Sequence, residues 1–103
     1  MLYRQLGSSG LRVSCFALGT ASFGVSGPER KSGVVDVAAA QHQLDMALEA
    51  GVNLIDTADA YGAGASETVL SQVLQGRRDR VVLATKGRFP VGDGPNDAGD
   101  CAT

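Results

Sequence analysis

Apolar residues along the chain fall into short blocks separated by glycine-rich and polar stretches, and the spacing within the blocks switches between strand-like and helix-like. Leu2-Tyr3-Arg4-Gln5-Leu6 and Leu11-Arg12-Val13-Ser14 alternate on either side of Gly7-Ser8-Ser9-Gly10, which predicts a hairpin. Cys15-Phe16-Ala17-Leu18 is a continuous apolar run closed by Gly19-Thr20, expected to be a strand buried on both faces, with Cys15 as a small buried hydrophobe. A polar loop holding Gly24, Gly27, Pro28, Glu29, Arg30, Lys31 and Gly33 follows. Val37, Ala40, Leu44, Ala47 and Leu48 then recur at helical spacing, with Gln41, Asp45 and Glu49 on the other side. Asp36 is placed to cap that helix and Gly51 to end it in the left-handed conformation.

Val52-Asn53-Leu54-Ile55 predicts a strand ended by Asp56. Ser66 to Gln75 predicts a second helix, with a stripe of Val69, Leu70, Val73 and Leu74, ended by Gly76. After the charged turn Arg77-Arg78-Asp79-Arg80, Val81-Val82-Leu83-Ala84-Thr85 predicts a third strand ended by Lys86. Pro90, Gly92, Gly94, Pro95, Asn96 and Gly99 mark a loop. Strands alternating with helices predict an α/β protein with parallel pairing and right-handed crossovers. Three such strands and two helices leave both sheet edges open and one face poorly covered, whereas parallel sheets are normally buried on both faces, so part of the architecture is missing from this count.

Composition narrows the function classes. A chain of 103 residues has room for one domain, and a formal charge of −2 supplies no excess of cations for nucleic-acid phosphates or anionic lipids. The apolar runs are far shorter than the ~20 residues of a membrane span, and the N-terminal stretch lacks a signal-peptide pattern, so a cytoplasmic protein is expected. Cys15, Cys101 and the single His42 have no metal-ligand spacing, so no metal is expected; His42 reads as a partly exposed side chain on the first helix.

The candidate chemistry lies where the predicted strands end, the edge at which α/β folds build ligand sites. Asp56 closes the second strand, Tyr61 stands in the loop five residues on, and Lys86 follows the third strand. Singly, each has an ordinary explanation as a turn cap, a packed ring or a solvated charge. Together they form a proton-donating relay: an ammonium beside a phenol favours the phenolate, and a carboxylate keeps the ammonium charged and in place. Asp59 reads as a turn former. The P-loop-like glycines of Gly19-Thr20-Ala21-Ser22-Phe23-Gly24 are followed by Val25-Ser26 where Lys and Ser/Thr should stand, and Gly62-Ala63-Gly64 lacks a third glycine. A doubly wound nucleotide-binding module is therefore the weaker reading.

Several stretches carry a family resemblance: Tyr3-Arg4-Gln5-Leu6-Gly7, Leu18-Gly19-Thr20 with Phe23-Gly24, Ala47 through Gly62, Ser66-Glu67, and Val81 through Lys86. In them the chain resembles the aldo-keto reductase superfamily, from about residue 1 to 99. The resemblance implies the opening part of an eight-stranded (β/α) TIM barrel, with residues 1–99 forming a partial barrel domain and 100–103 a divergent tail. It also implies NADP(H)-dependent reduction of a small carbonyl compound. Tyr61 would be the general acid, Lys86 would tune it, and Asp56 would pair with Lys86. Gly19, Thr20, Ala21 and Asp56 match positions that in relatives lie under the nicotinamide and its ribose. Relatives carry a fourth catalytic residue, usually histidine, after a fourth strand, and this sequence stops before one. The corresponding expectation is a truncated or frame-shifted reading frame that is inactive alone, with a non-enzymatic fragment or partner-binding scaffold as the alternative.

Overall fold

The computed structural model describes residues 1–24 and 35–99. The loop residues Gly27, Pro28, Glu29, Arg30, Lys31 and Gly33, and Cys101 with the tail, lie outside the described residues.

The chain opens with an antiparallel pair, β1 (Tyr3–Gln5) and β2 (Arg12–Ser14), in the predicted hairpin. A separate parallel sheet follows, made of β3 (Ala17–Gly19), β4 (Leu54–Asp56) and β5 (Val82–Ala84) in that order. Helices α1 (Val37–Glu49) and α2 (Ala65–Val73) form the crossovers between them. The α/β class, the parallel pairing and the number of strands and helices are those expected. Among the described residues, β3 and β5 keep one edge each unpaired.

Register explains where the core sits. Leu18, Ile55 and Leu83 are aligned across the three strands, and successive side chains along a strand point to opposite faces. Ile55 is buried among Leu44, Leu70 and Val73 of the two helices, with Leu18 and Leu83 packed against that cluster. The rows on either side, Ala17–Leu54–Val82 and Gly19–Asp56–Ala84, belong to the other face.

That second face corrects the expectation of a first strand buried on both sides. Ala17 and Gly19 are exposed, Phe16 is 71% exposed, and Cys15 is an exposed free thiol. Both helices pack on the Leu18 side, so nothing among the described residues covers the opposite side of β3.

Helix boundaries follow their caps. The Asp36 carboxylate accepts from the Ala39 amide at 2.8 Å, satisfying one of the orphan donors of α1. Gly51 ends the helix at φ 88°, and a side chain there would collide with Met1 and the Tyr3 hydroxyl, each 2.9 Å from the Cβ position. The Tyr3 hydroxyl donates to the Gly51 carbonyl at 2.6 Å, which docks the hairpin onto the end of α1. His42 is exposed on α1, as expected. Helix α2 starts one residue earlier and ends two residues sooner than its apolar stripe suggested. The Leu74 amide still bonds the Leu70 carbonyl, the Gln75 amide tightens to the Gln72 carbonyl, and Gly76 then turns the chain at φ 75°.

Candidate active site

Gly19, Asp56 and Ala84 stand side by side at the C-terminal ends of the three parallel strands. Beyond them the backbone keeps pairing. The Thr57 amide donates to the Ala84 carbonyl at 2.9 Å, and the Asp59 amide donates to the Lys86 carbonyl at 3.0 Å. This extension brings the segment after β4 and the segment after β5 together, and so carries Lys86 to the carboxylate of Asp56. Asp59 contributes through its backbone, in keeping with its reading as a turn former.

Tyr61 begins a tight turn, Tyr61–Gly64, in which Gly62, Ala63 and Gly64 have φ of 60°, 52° and 97°. Left-handed conformation is cheap for glycine and costly for a residue with a Cβ, so Ala63 holds a strained position. The consecutive left-handed residues reverse the chain before α2 and turn the phenol back over the strand ends.

The three predicted residues meet at one atom. Lys86 Nζ donates to Asp56 Oδ2 at 2.7 Å, to the Thr57 carbonyl at 3.0 Å and to the Tyr61 hydroxyl oxygen at 3.2 Å. An ammonium has three protons, and these three acceptors use all of them. The same nitrogen lies 5.0 Å from the centre of the Tyr61 ring. The Asp56 carboxylate holds the Lys86 ammonium above the ordinary lysine range; loss of water opposes this, and the contact with the Tyr61 oxygen adds to it. Because Tyr61 accepts from Lys86, its own proton is directed elsewhere.

A cavity of about 340 Å³ adjoins this group, walled by the apolar Ala58, Ala60 and Phe89 and bordered by Tyr61, Lys86, Asp59 and Arg88. A separate cavity of about 420 Å³ lies between α2 and β5 against Leu70, Leu74 and Leu83, and it reaches none of the three residues.

Of the other candidates, Gly19 and Ala21 are exposed at the strand edge. Thr20 is wholly buried: both its amide and its hydroxyl donate to the Asp56 carbonyl, at 3.1 and 3.0 Å. Its side chain therefore anchors Asp56 from behind. Sequence reasoning missed Thr57 and Ser66, buried hydroxyls joined to Thr20. Their only signal was a small hydroxyl residue beside a strand end and in the first turn of a helix. Among the described residues no cluster of His, Cys, Asp or Glu could hold a metal ion, and no helix is long and apolar enough to cross a membrane.

Comparison with known proteins gives consistent matches. The model of the aldo/keto reductase family matches residues 16–102. The uncharacterized oxidoreductase YrpG of Bacillus subtilis is 42% identical over 94% of this chain and 30% of its own length. The aldo-keto reductase AKR11C1 of Bacillus halodurans, solved in its holo form, aligns with a TM-score of 0.70 at 38% identity, over 90% of this chain and 28% of that one. A crystal structure of PA4992 from Pseudomonas aeruginosa aligns with a TM-score of 0.74 at 42% identity, over 84% of this chain and 33% of that one. The chain thus spans about a third of the length of these relatives.

Proposed function

Because the chain belongs to the aldo/keto reductase family, we propose that it carries the proton-donating part of a reductase that converts a small aldehyde or ketone to an alcohol with NADP(H). In this reading β3, β4 and β5 are the opening strands of an eight-stranded (β/α) barrel, and the protein works in the cytoplasm.

The observation that carries the reading is the convergence of Asp56, Thr57 and Tyr61 on Lys86 Nζ. A carbonyl oxygen that gains negative charge during reduction needs a proton. Tyr61 is the general acid: its hydroxyl oxygen accepts from Lys86, so its proton is free for a substrate oxygen placed in the adjoining cavity. The phenolate left behind lies against the ammonium, which stabilises the charge, while Asp56 and the Thr57 carbonyl keep that ammonium from turning away. Water returns the proton to Tyr61 after the alcohol leaves. The apolar walls of Ala58, Ala60 and Phe89 suit an uncharged carbonyl compound.

The strand edge fits the nicotinamide end of the cofactor. Gly19 is exposed, and a Cβ built on it would meet no atom within 4 Å; Ala21 beside it is small and exposed, so a flat ring has room next to Asp56. Gly19, Ala21 and Asp56 would hold that end, with Thr20 fixing the peptide beneath. When bound, the cofactor supplies the hydride.

Titration of NADPH fluorescence, followed by an assay of carbonyl turnover, tests the reading in a full barrel made by joining this chain to the remaining strands of YrpG, since the chain spans about a third of that relative's length. Binding together with turnover that collapses in Tyr61→Phe is expected; turnover undiminished in Tyr61→Phe would overturn it. The open edges of β3 and β5 favour a second reading, a non-enzymatic piece that pairs with other strands. A cooperative melt with neither binding nor turnover would support it.

A further inference from the structure

Behind the Asp56–Lys86–Tyr61 group lies a second polar cluster, whose hydroxyls touch neither the Lys86 ammonium nor the Tyr61 hydroxyl. Thr20, Thr57 and Ser66 are at most 1% exposed and come from three places: just past β3, just past β4, and the first turn of α2. Burying hydroxyls is unfavourable unless each one is bonded, so their protons must be accounted for. The Thr20 hydroxyl donates to the Asp56 carbonyl at 3.0 Å, and the Ser66 hydroxyl donates to the Thr20 carbonyl at 2.8 Å. With the Ser66 proton so used, the Thr57 hydroxyl is the donor in its 3.0 Å contact with Ser66 Oγ. Ser66 Oγ also lies 3.0 Å from Thr20 Oγ1, which closes the cluster.

The residues held this way are those that position the ammonium. Asp56 supplies its carboxylate partner, and Thr57 supplies the carbonyl that accepts from Nζ. Ser66 itself stands two residues after the turn that starts at Tyr61. One hydroxyl thus connects the segment that carries the phenol with the segment that carries the acceptors of Lys86. We propose that Ser66 is a positioning residue, whose buried hydroxyl fixes the placement of Lys86 Nζ against Asp56 and Tyr61. This rests on the reading of Tyr61 as the proton donor. Without the hydroxyl, Thr57 loses its acceptor, and the Asp56–Thr57 backbone is free to shift relative to the Tyr61 turn.

The test watches the ammonium itself, so it does not depend on turnover. Lys31 is the only other lysine, and Lys31→Arg with isotope-labelled lysine nitrogen leaves a single ammonium resonance. The Lys86 side chain is 53% exposed, so exchange of its protons with water is measured at low temperature and mildly acidic pH, where the three hydrogen bonds are expected to slow it relative to a free ammonium. Ser66→Ala is expected to speed that exchange several-fold, and Ser66→Thr, which keeps the hydroxyl, to restore it. Leu44→Ala, a core change on α1, is expected to lower the melting temperature and leave the exchange rate alone. Should Ser66→Ala fail to fold, Thr57→Val against Thr57→Ser decides the same question, because only the first loses the bond to Ser66 Oγ.

An unchanged rate in Ser66→Ala, or an equal acceleration in Leu44→Ala, overturns the proposal. Asp56→Asn separates this outcome from a failure of the underlying reading. If Asp56→Asn leaves exchange unchanged, the ion pair and the reductase reading built on it fall. If Asp56→Asn accelerates exchange and Ser66→Ala does not, only the role of Ser66 is lost.

Discussion

The Lys86 ammonium faces the Tyr61 hydroxyl oxygen at 3.2 Å and donates to it, so the phenol keeps its own proton, with no acceptor for it among the described residues. Tyr61→Phe removes that proton together with the oxygen that accepts from Lys86, while the ring can keep its place beside the ammonium. In the joined barrel, on the proposed role of Tyr61, carbonyl reduction should fall by a factor of ~10²–10⁴, the usual contribution of a general acid. NADPH affinity should be unchanged. Steady-state kinetics beside a fluorescence titration checks both, and an equal loss of binding would assign Tyr61 a structural role.

Two ion pairs give the protein opposite pH limits. Asp56 holds the Lys86 ammonium above its ordinary 10.5, so this pair's contribution to stability is complete below that value and is lost as pH rises through the higher folded value. Asp45, bonded by the Arg77 guanidinium, sits below its ordinary 3.8. Its contribution is complete above that value and is lost as pH falls through the lower folded value. Melting temperature against pH should therefore show a plateau with two shallow shoulders. Lys86→Met should flatten the alkaline shoulder and Asp45→Asn the acid one. Both carboxylates and the Lys86 ammonium are solvent-exposed, so each shoulder is small.

Much of this arrangement was legible because short-range chemistry decided it. Asp36 caps α1 and Gly51 ends it for reasons contained in their own side chains and backbone freedom. The placing of Asp56 and Lys86 at neighbouring strand ends followed from the alternation of strands and helices. Cys15 and Phe16 were misjudged because an apolar run reports that both faces suit burial, while which face is covered depends on what packs there. Thr57 and Ser66 were invisible for the opposite reason. Small hydroxyl residues look like ordinary helix starts and strand ends, and only the close approach of β3, β4 and α2 turns them into a cluster.

Asn53 shows how one side chain can join two sheets. Its Oδ1 accepts from the Ser14 amide at 2.8 Å, its Nδ2 donates to the Arg12 carbonyl at 3.0 Å, and its own amide donates to Ser14 Oγ at 3.1 Å. Asn53→Ala deletes the first two and leaves the Ser14 amide without its partner, which costs about 1–3 kcal/mol for a buried donor. The loss should be local. Hydrogen exchange is expected to show lowered protection at Ser14 and along β2, with the amides of α2 unaffected; uniform loss of protection would mean that the hairpin and the parallel sheet unfold as one unit.

Ala63 carries the only positive φ of a non-glycine residue among the described residues, and it lies between two left-handed glycines in the turn that aims Tyr61. A left-handed alanine costs about 1–2 kcal/mol, whereas glycine in the same place loses about 0.4–1 kcal/mol through the greater freedom of the unfolded chain. Ala63→Gly should therefore raise stability by about 0.5 kcal/mol, measured by chemical denaturation. The same change leaves an unbroken run of glycine from Gly62 to Gly64 beside the site. A third glycine lets the turn relax into other conformations, and the phenol then spends less time against Lys86. On the proposed function, carbonyl turnover of the joined barrel should fall as stability rises, with NADPH affinity constant. If turnover and stability rise together, the strain at Ala63 has no part in holding Tyr61, and the orientation of the ring is set by its contact with Lys86 alone.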